Sequence, residues 1–84
     1  MISEKQLLEL GFKFDYSVDG EYEVYKLNLD TIEIEVTNIF NPIGQTFELG
    51  IAKYFTNLKQ LNYHELEQLI RLLTYEVKNE IEKL

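Results

Sequence analysis

The 84-residue chain predicts an α+β fold: a helix, a four-stranded antiparallel meander sheet and a long C-terminal helix, with both helices on one sheet face and the other face open. Three observations carry that reading. Apolar and polar residues alternate through Phe12 to Val18 and again beyond the turn signals Asp19-Gly20, Asp30-Thr31 and Asn41-Pro42-Ile43-Gly44, the period-two pattern of half-buried strands. Leu66, Leu69, Ile70, Leu73, Val77, Ile81 and Leu84 recur at spacings of three and four, which gathers them on one face of a helix. The registers implied by the three turns agree on a single apolar sheet face, and such agreement between local and global signals is what a specified fold requires.

Taken in order, Ser3 with Gln6 three residues on forms a capping box, Ile2 stands in staple position to Leu7, and Gly11 offers a left-handed exit. Asp19-Gly20 reads as a two-residue type I′ turn, which sets Phe14 opposite Tyr25, Tyr16 opposite Glu23 and Val18 opposite Glu21. A two-residue connection at Asp30-Thr31 pairs Leu27 with Ile34 and Tyr25 with Val36, and brings Lys26 across from Glu35. Asn41-Pro42-Ile43-Gly44 fits a type I turn, closing Phe40 onto Gln45 and setting Val36 against Leu49 and Ile34 against Ile51. Asn62 and Glu65 make a second capping box at the start of the last helix. That apolar stripe extends past a four-stranded sheet, so Ile81 and Leu84 are expected to overhang.

The composition is that of one ordered domain, 1–84, with 45% hydrophobic and 13% aromatic residues, enough apolar content to offset the entropy of ordering. Cysteine is absent, which excludes disulfides, thiolate nucleophiles and thiolate metal sites. No basic leader precedes an apolar run and no stretch reaches the length of a membrane span, so the expectation is a soluble cytoplasmic protein without membrane contact. The net charge is −7, and it is local. Asp15, Asp19, Glu21, Glu23, Asp30, Glu33, Glu35 and Glu48 face Lys26 alone between residues 15 and 48, while seven acids and seven bases balance elsewhere. Scattered bases argue against direct nucleic-acid binding, which needs clustered Lys and Arg; a basic partner is the expectation instead.

No signature of chemistry emerges. His64 is the only histidine and no sequence neighbour offers it a nucleophile to activate. Ser3 and Ser17 are accounted for by a cap and an exposed strand position. Glu33, Glu35 and Glu48 share a sheet face, but strand-spaced carboxylates diverge, whereas hard cations want converging oxygens from several loops. The chain is therefore expected to be no enzyme, with no catalytic residue, metal or other cofactor. Its candidate surface is the open face, where Tyr22, Val24 and Ile39 form an apolar patch with Asp15, Glu33, Glu35 and Glu48 around it. Aromatic rings anchor interfaces and attract cations, so these seven residues are the candidate partner-binding set.

The opening Leu7-Leu8-Glu9-Leu10-Gly11-Phe12, the strand Tyr22-Glu23-Val24-Tyr25-Lys26-Leu27 and the closing Phe55-Thr56-Asn57-Leu58 leading into Leu66-Glu67-Gln68-Leu69-Ile70 together resemble a loose group of small acidic proteins from bacterial and phage genomes to which no activity is assigned. The resemblance implies a phage or mobile-element context and no catalytic residues. Charge and resemblance together give the expectation of an acidic interaction module that binds a basic, nucleic-acid-binding protein and inhibits it by phosphate mimicry, as anti-defence or anti-CRISPR inhibitors do. The alternative is a structural protein, a homodimer or larger assembly formed through the open sheet face or the C-terminal helix.

Overall fold

The computed structural model describes the backbone of residues 1–82 and the side chains of residues 1–74. Two helices, α1 (Glu4–Glu9) and α2 (Tyr63–Glu82), flank five strands: β1 (Lys13–Val18), β2 (Tyr22–Leu29), β3 (Ile32–Phe40), β4 (Ile43–Ile51) and β5 (Tyr54–Leu58). All neighbours are antiparallel and the order is β1-β2-β3-β4-β5, so the fold is α+β with a five-stranded meander. The alternation of strand residues gives the sheet one apolar face. Tyr25, Ile34, Val36 and Phe47 from that face bury with Ile2 just ahead of α1, Leu7 of α1, Phe12, and Leu66 of α2. Both helices thus cover the same face. Each such side chain taken from water contributes on the order of 1.5–3 kcal/mol before entropy is counted.

The helix starts form as expected. Ser3 Oγ accepts from the Gln6 amide at 3.1 Å while Gln6 Oε1 accepts from the Ser3 amide at 3.0 Å. Asn62 and Glu65 exchange the equivalent bonds at 2.8 and 3.0 Å. A feature without a sequence signal secures the N-terminal segment: buried Gln45 accepts from the Ile2 amide at 3.1 Å and donates to the Ile2 carbonyl at 2.9 Å and to Asn38 Oδ1 at 2.6 Å. A side-chain amide here imitates a strand partner for Ile2 and holds its side chain over the core.

Three expectations need correction. The sheet has a fifth strand, β5, closed by a two-residue turn in which Ala52 and Lys53 have φ of 50° and 76°. Positive φ at both central positions is type I′ geometry, which normally selects Asn or Gly; Ala-Lys carries no such signal. The β1–β2 loop is not a two-residue I′ turn. Val18 pairs with Tyr22, the Glu21 amide bonds the Val18 carbonyl at 2.9 Å, and only Gly20 has positive φ. The resulting one-residue slip is cancelled by a bulge between Phe14 and Tyr16, so Phe14 still meets Tyr25 while Tyr16 meets Val24.

The β3–β4 connection is shorter than the expected four-residue turn, with Phe40 pairing Ile43 around a cis Asn41-Pro42 bond. Val36 therefore meets Phe47, and Ile34 meets Leu49. The displacement is two residues, an even number, so every side chain keeps its face. The expected stripe positions Val77, Ile81 and Leu84, with the overhang read from them, lie outside the residues whose side chains are described.

Candidate interaction surface

On the face away from both helices, the register lays residues out in lateral rows. One end carries Val18, Tyr22, Ile39 and Gly44, then Tyr16, Val24, Thr37 and Thr46; the other carries Lys13, Lys26, Glu35, Glu48 and Asn57, then Asn28, Glu33, Gly50 and Phe55. An aromatic end thus adjoins an acidic end. This follows from pairing alone, because residues opposed in an antiparallel sheet share a face. All seven candidate residues belong to this side of the sheet, with Asp15 on the bulge at its margin.

At the acidic end Lys26 stands in register with Glu35, yet its ammonium lies 3.1 Å from Asp15 and 3.4 Å from Glu33. The expected Lys26–Glu35 pair is thereby replaced. The bulge at Asp15 brings a carboxylate within reach of Lys26, and hydrogen bonding to Asp15 is the leading cause that raises the Lys26 pKa, with Glu33 assisting. Glu33 Oε1 is buried and within ion-pair reach of Lys26 but has no hydrogen-bond donor.

Glu35 is left directly opposite Glu48, a like-charge pair of the kind that destabilises a sheet. Its carboxyl is pushed above the ordinary value, first by desolvation, with Glu48, Glu33 and Asp15 adding to the shift and Lys26 opposing it. Among the described residues neither Glu35 nor Glu48 has a cationic partner within ion-pair distance.

The aromatic end differs from the sequence reading in two respects. Val24 is only 1% exposed, so it underlies the surface instead of presenting itself to a partner. Tyr16, expected on the core face, is turned outward by the bulge and packs edge-on against Tyr22 at 6.2 Å between ring centroids. Desolvation, then the neighbouring Tyr22 and Glu35, raise the Tyr16 phenol pKa. The contactable set is therefore Tyr16, Tyr22 and Ile39 beside Glu35 and Glu48. Tyr16 was hidden from sequence reasoning because nothing in Lys13-Phe14-Asp15-Tyr16 marks a bulge.

No trio of His, Asp or Glu among the described residues is arranged to hold a metal ion. His64 is exposed on the first turn of α2, its ring against Tyr63. No helix among the described residues is long and apolar enough to cross a membrane. Comparison with protein-family models, with curated proteins and with solved structures yields no match.

Proposed function

We propose that this protein is a non-enzymatic interaction module whose acidic, helix-free sheet face engages a basic surface of a nucleic-acid-binding protein, with carboxylates standing where phosphates would otherwise sit. One observation carries the reading: Glu35 faces Glu48 across β3 and β4 while Lys26 is held by Asp15 and Glu33. Among the described residues these two adjacent carboxylates have no cation within ion-pair distance and oppose the sheet's own stability, and an Arg or Lys brought by a partner relieves that opposition. The Tyr16–Tyr22 pair next to them supplies ring faces for the same cation. Inhibition by phosphate mimicry, in a phage or mobile-element setting, is the form of action that this charge pattern and the resemblance support.

Self-association through the same face is disfavoured by the same geometry, since stacking two copies face to face brings Glu33, Glu35 and Glu48 of each against a second acidic surface.

The test is capture from a host lysate with wild-type protein and with the E33Q/E35Q/E48Q variant as baits. The wild type is expected to retain a basic protein that added nucleic acid releases and that moderate salt elutes, because exposed charges are screened over about 8 Å at physiological ionic strength. Equal retention by the triple variant overturns the proposal.

A further inference from the structure

The two edges of the sheet are built differently. β1 ends the sheet with a bulge at Asp15 and with Lys13 and Asp15 along it, devices by which sheets discourage strand addition. β5, at the other edge, is Tyr54-Phe55-Thr56-Asn57-Leu58: it has no charge and no proline, and its pairing with β4 is unbroken. Among the described residues nothing pairs with its outer side. Tyr54 is 82% and Phe55 53% exposed, so this edge carries aromatic surface on both sheet faces.

The backbone is set for pairing. The two-residue turn closes on Ile51 and Tyr54, and the antiparallel alternation from that pair directs the amides and carbonyls of Phe55 and Asn57 to the open side. Phe55 lies back over Gly50, so close that a β-carbon at Gly50 would sit 2.5 Å from its ring.

We propose that the free edge of β5 is a strand-addition site for an extended segment of another protein that carries acidic residues at both ends of the paired stretch. The occupant's chemistry follows from the ends of β5, where Lys53, the second residue of the β4–β5 turn, precedes the strand and Lys59 follows it, both exposed; the Lys59 ammonium meets Glu65 at 2.9 Å, a solvent-exposed pair weak enough for an incoming carboxylate to share. In a strand laid antiparallel along Tyr54–Leu58, the residues just beyond each end of the paired stretch come beside these two lysines, where opposite charges attract. A second copy of this chain is a poor occupant. Two-fold pairing centred on Thr56 matches all five strand residues but sets Lys53 of each copy beside Lys59 of the other, like charge against like. Asn57 stands opposite Glu48, so this edge borders the acidic face, but strand addition uses the backbone of β5 and none of those carboxylates.

The probe is a synthetic peptide of alternating valine and threonine with glutamate at each end, long enough to span residues 53–59, compared with the same peptide ending in lysines. Titrated into isotope-labelled protein, the glutamate-ended peptide is expected to shift the amide resonances of Phe55 and Asn57 selectively. It should bind roughly tenfold more tightly than the lysine-ended one, the ratio expected when two end pairs turn from attraction to repulsion. K53E/K59E should invert that preference, and N57P, with folding checked by thermal melting, should abolish binding by removing an open-edge amide. Equal binding of the two peptides, shifts centred on β1, or absence of binding overturns the proposal. So does a concentration-dependent dimer in sedimentation that N57P dissolves, which assigns the edge to a second copy.

Discussion

Replacing Glu48 should make the protein more stable and less able to bind. Directly opposed strand residues hold their β-carbons about 5 Å apart, and Glu35 and Glu48 are such a pair. Carboxylates about 6 Å apart repel by about 0.7 kcal/mol at the dielectric of water and about 1.4 kcal/mol at half that value. Screening at physiological salt reduces this to about 0.5 kcal/mol. E48Q should therefore stabilise by about 0.5 kcal/mol, and E48K, which exchanges repulsion for attraction, by about 1 kcal/mol. For a domain of this size the latter is a rise in melting temperature of about 4–8 °C.

Urea denaturation at pH 7 in low and in molar salt measures the effect, and the E48K gain should shrink in molar salt. It also has a pH signature. A carboxyl raised in the folded state, as Glu35 is, binds more protons folded than unfolded, so its contribution to stability falls as pH rises from its unfolded value to its folded one. Wild-type stability should thus carry a Glu35 component that improves on acidification through the folded pKa, and E48Q should weaken that component. Destabilisation by E48K, or a gain unchanged by salt, refutes the electrostatic reasoning. A variant that gains stability while losing capture of the basic partner is the mark of a surface kept for binding at some expense of stability.

Three further outcomes follow from local geometry. A52N/K53G, which gives the β4–β5 turn residues suited to positive φ, should stabilise by about 1–2 kcal/mol after the entropy of glycine is counted, as read by urea midpoint. Q45L should destabilise by about 2–3 kcal/mol, because it leaves the buried amide and carbonyl of Ile2 without their side-chain partner; an unchanged midpoint contradicts the clamp. Among the described residues the Tyr25 hydroxyl is buried with no partner at hydrogen-bonding geometry, and its pKa is pushed up to about 12, by burial first and then by the nearby carboxylates of Glu23 and Glu4, the latter close enough to draw on the phenol proton. Ultraviolet titration should show one tyrosine ionising about two units late and missing from Y25F, a variant that should lose little or no stability since it removes an unpaired buried group.

Much of this molecule was legible in its residues alone. Both capping boxes, the β2–β3 pairing across Asp30-Thr31, the apolar face built on Tyr25, Ile34 and Val36, and the location of the acids on the opposite face all follow from short-range rules: a cap acts over three residues and strand alternation over two. What escaped was backbone geometry without a side-chain signature. Ala52-Lys53 adopts a turn that other residues favour, so β5 went unread; the bulge at Asp15 turned Tyr16 from the core face to the open one; and the Asn41-Pro42 connection moved β4 by two residues.

The candidate site shows the same division. Sequence alone determined that acids crowd one side of a sheet around Lys26, because charge and alternation are local properties. Only the tertiary structure decided that Lys26 goes to Asp15 and Glu33, that Glu35 faces Glu48, and that Val24 lies beneath the surface. Those outcomes depend on register, and register is the sum of every turn and bulge between the strands, so one irregular residue far away in the chain reassigns each pair.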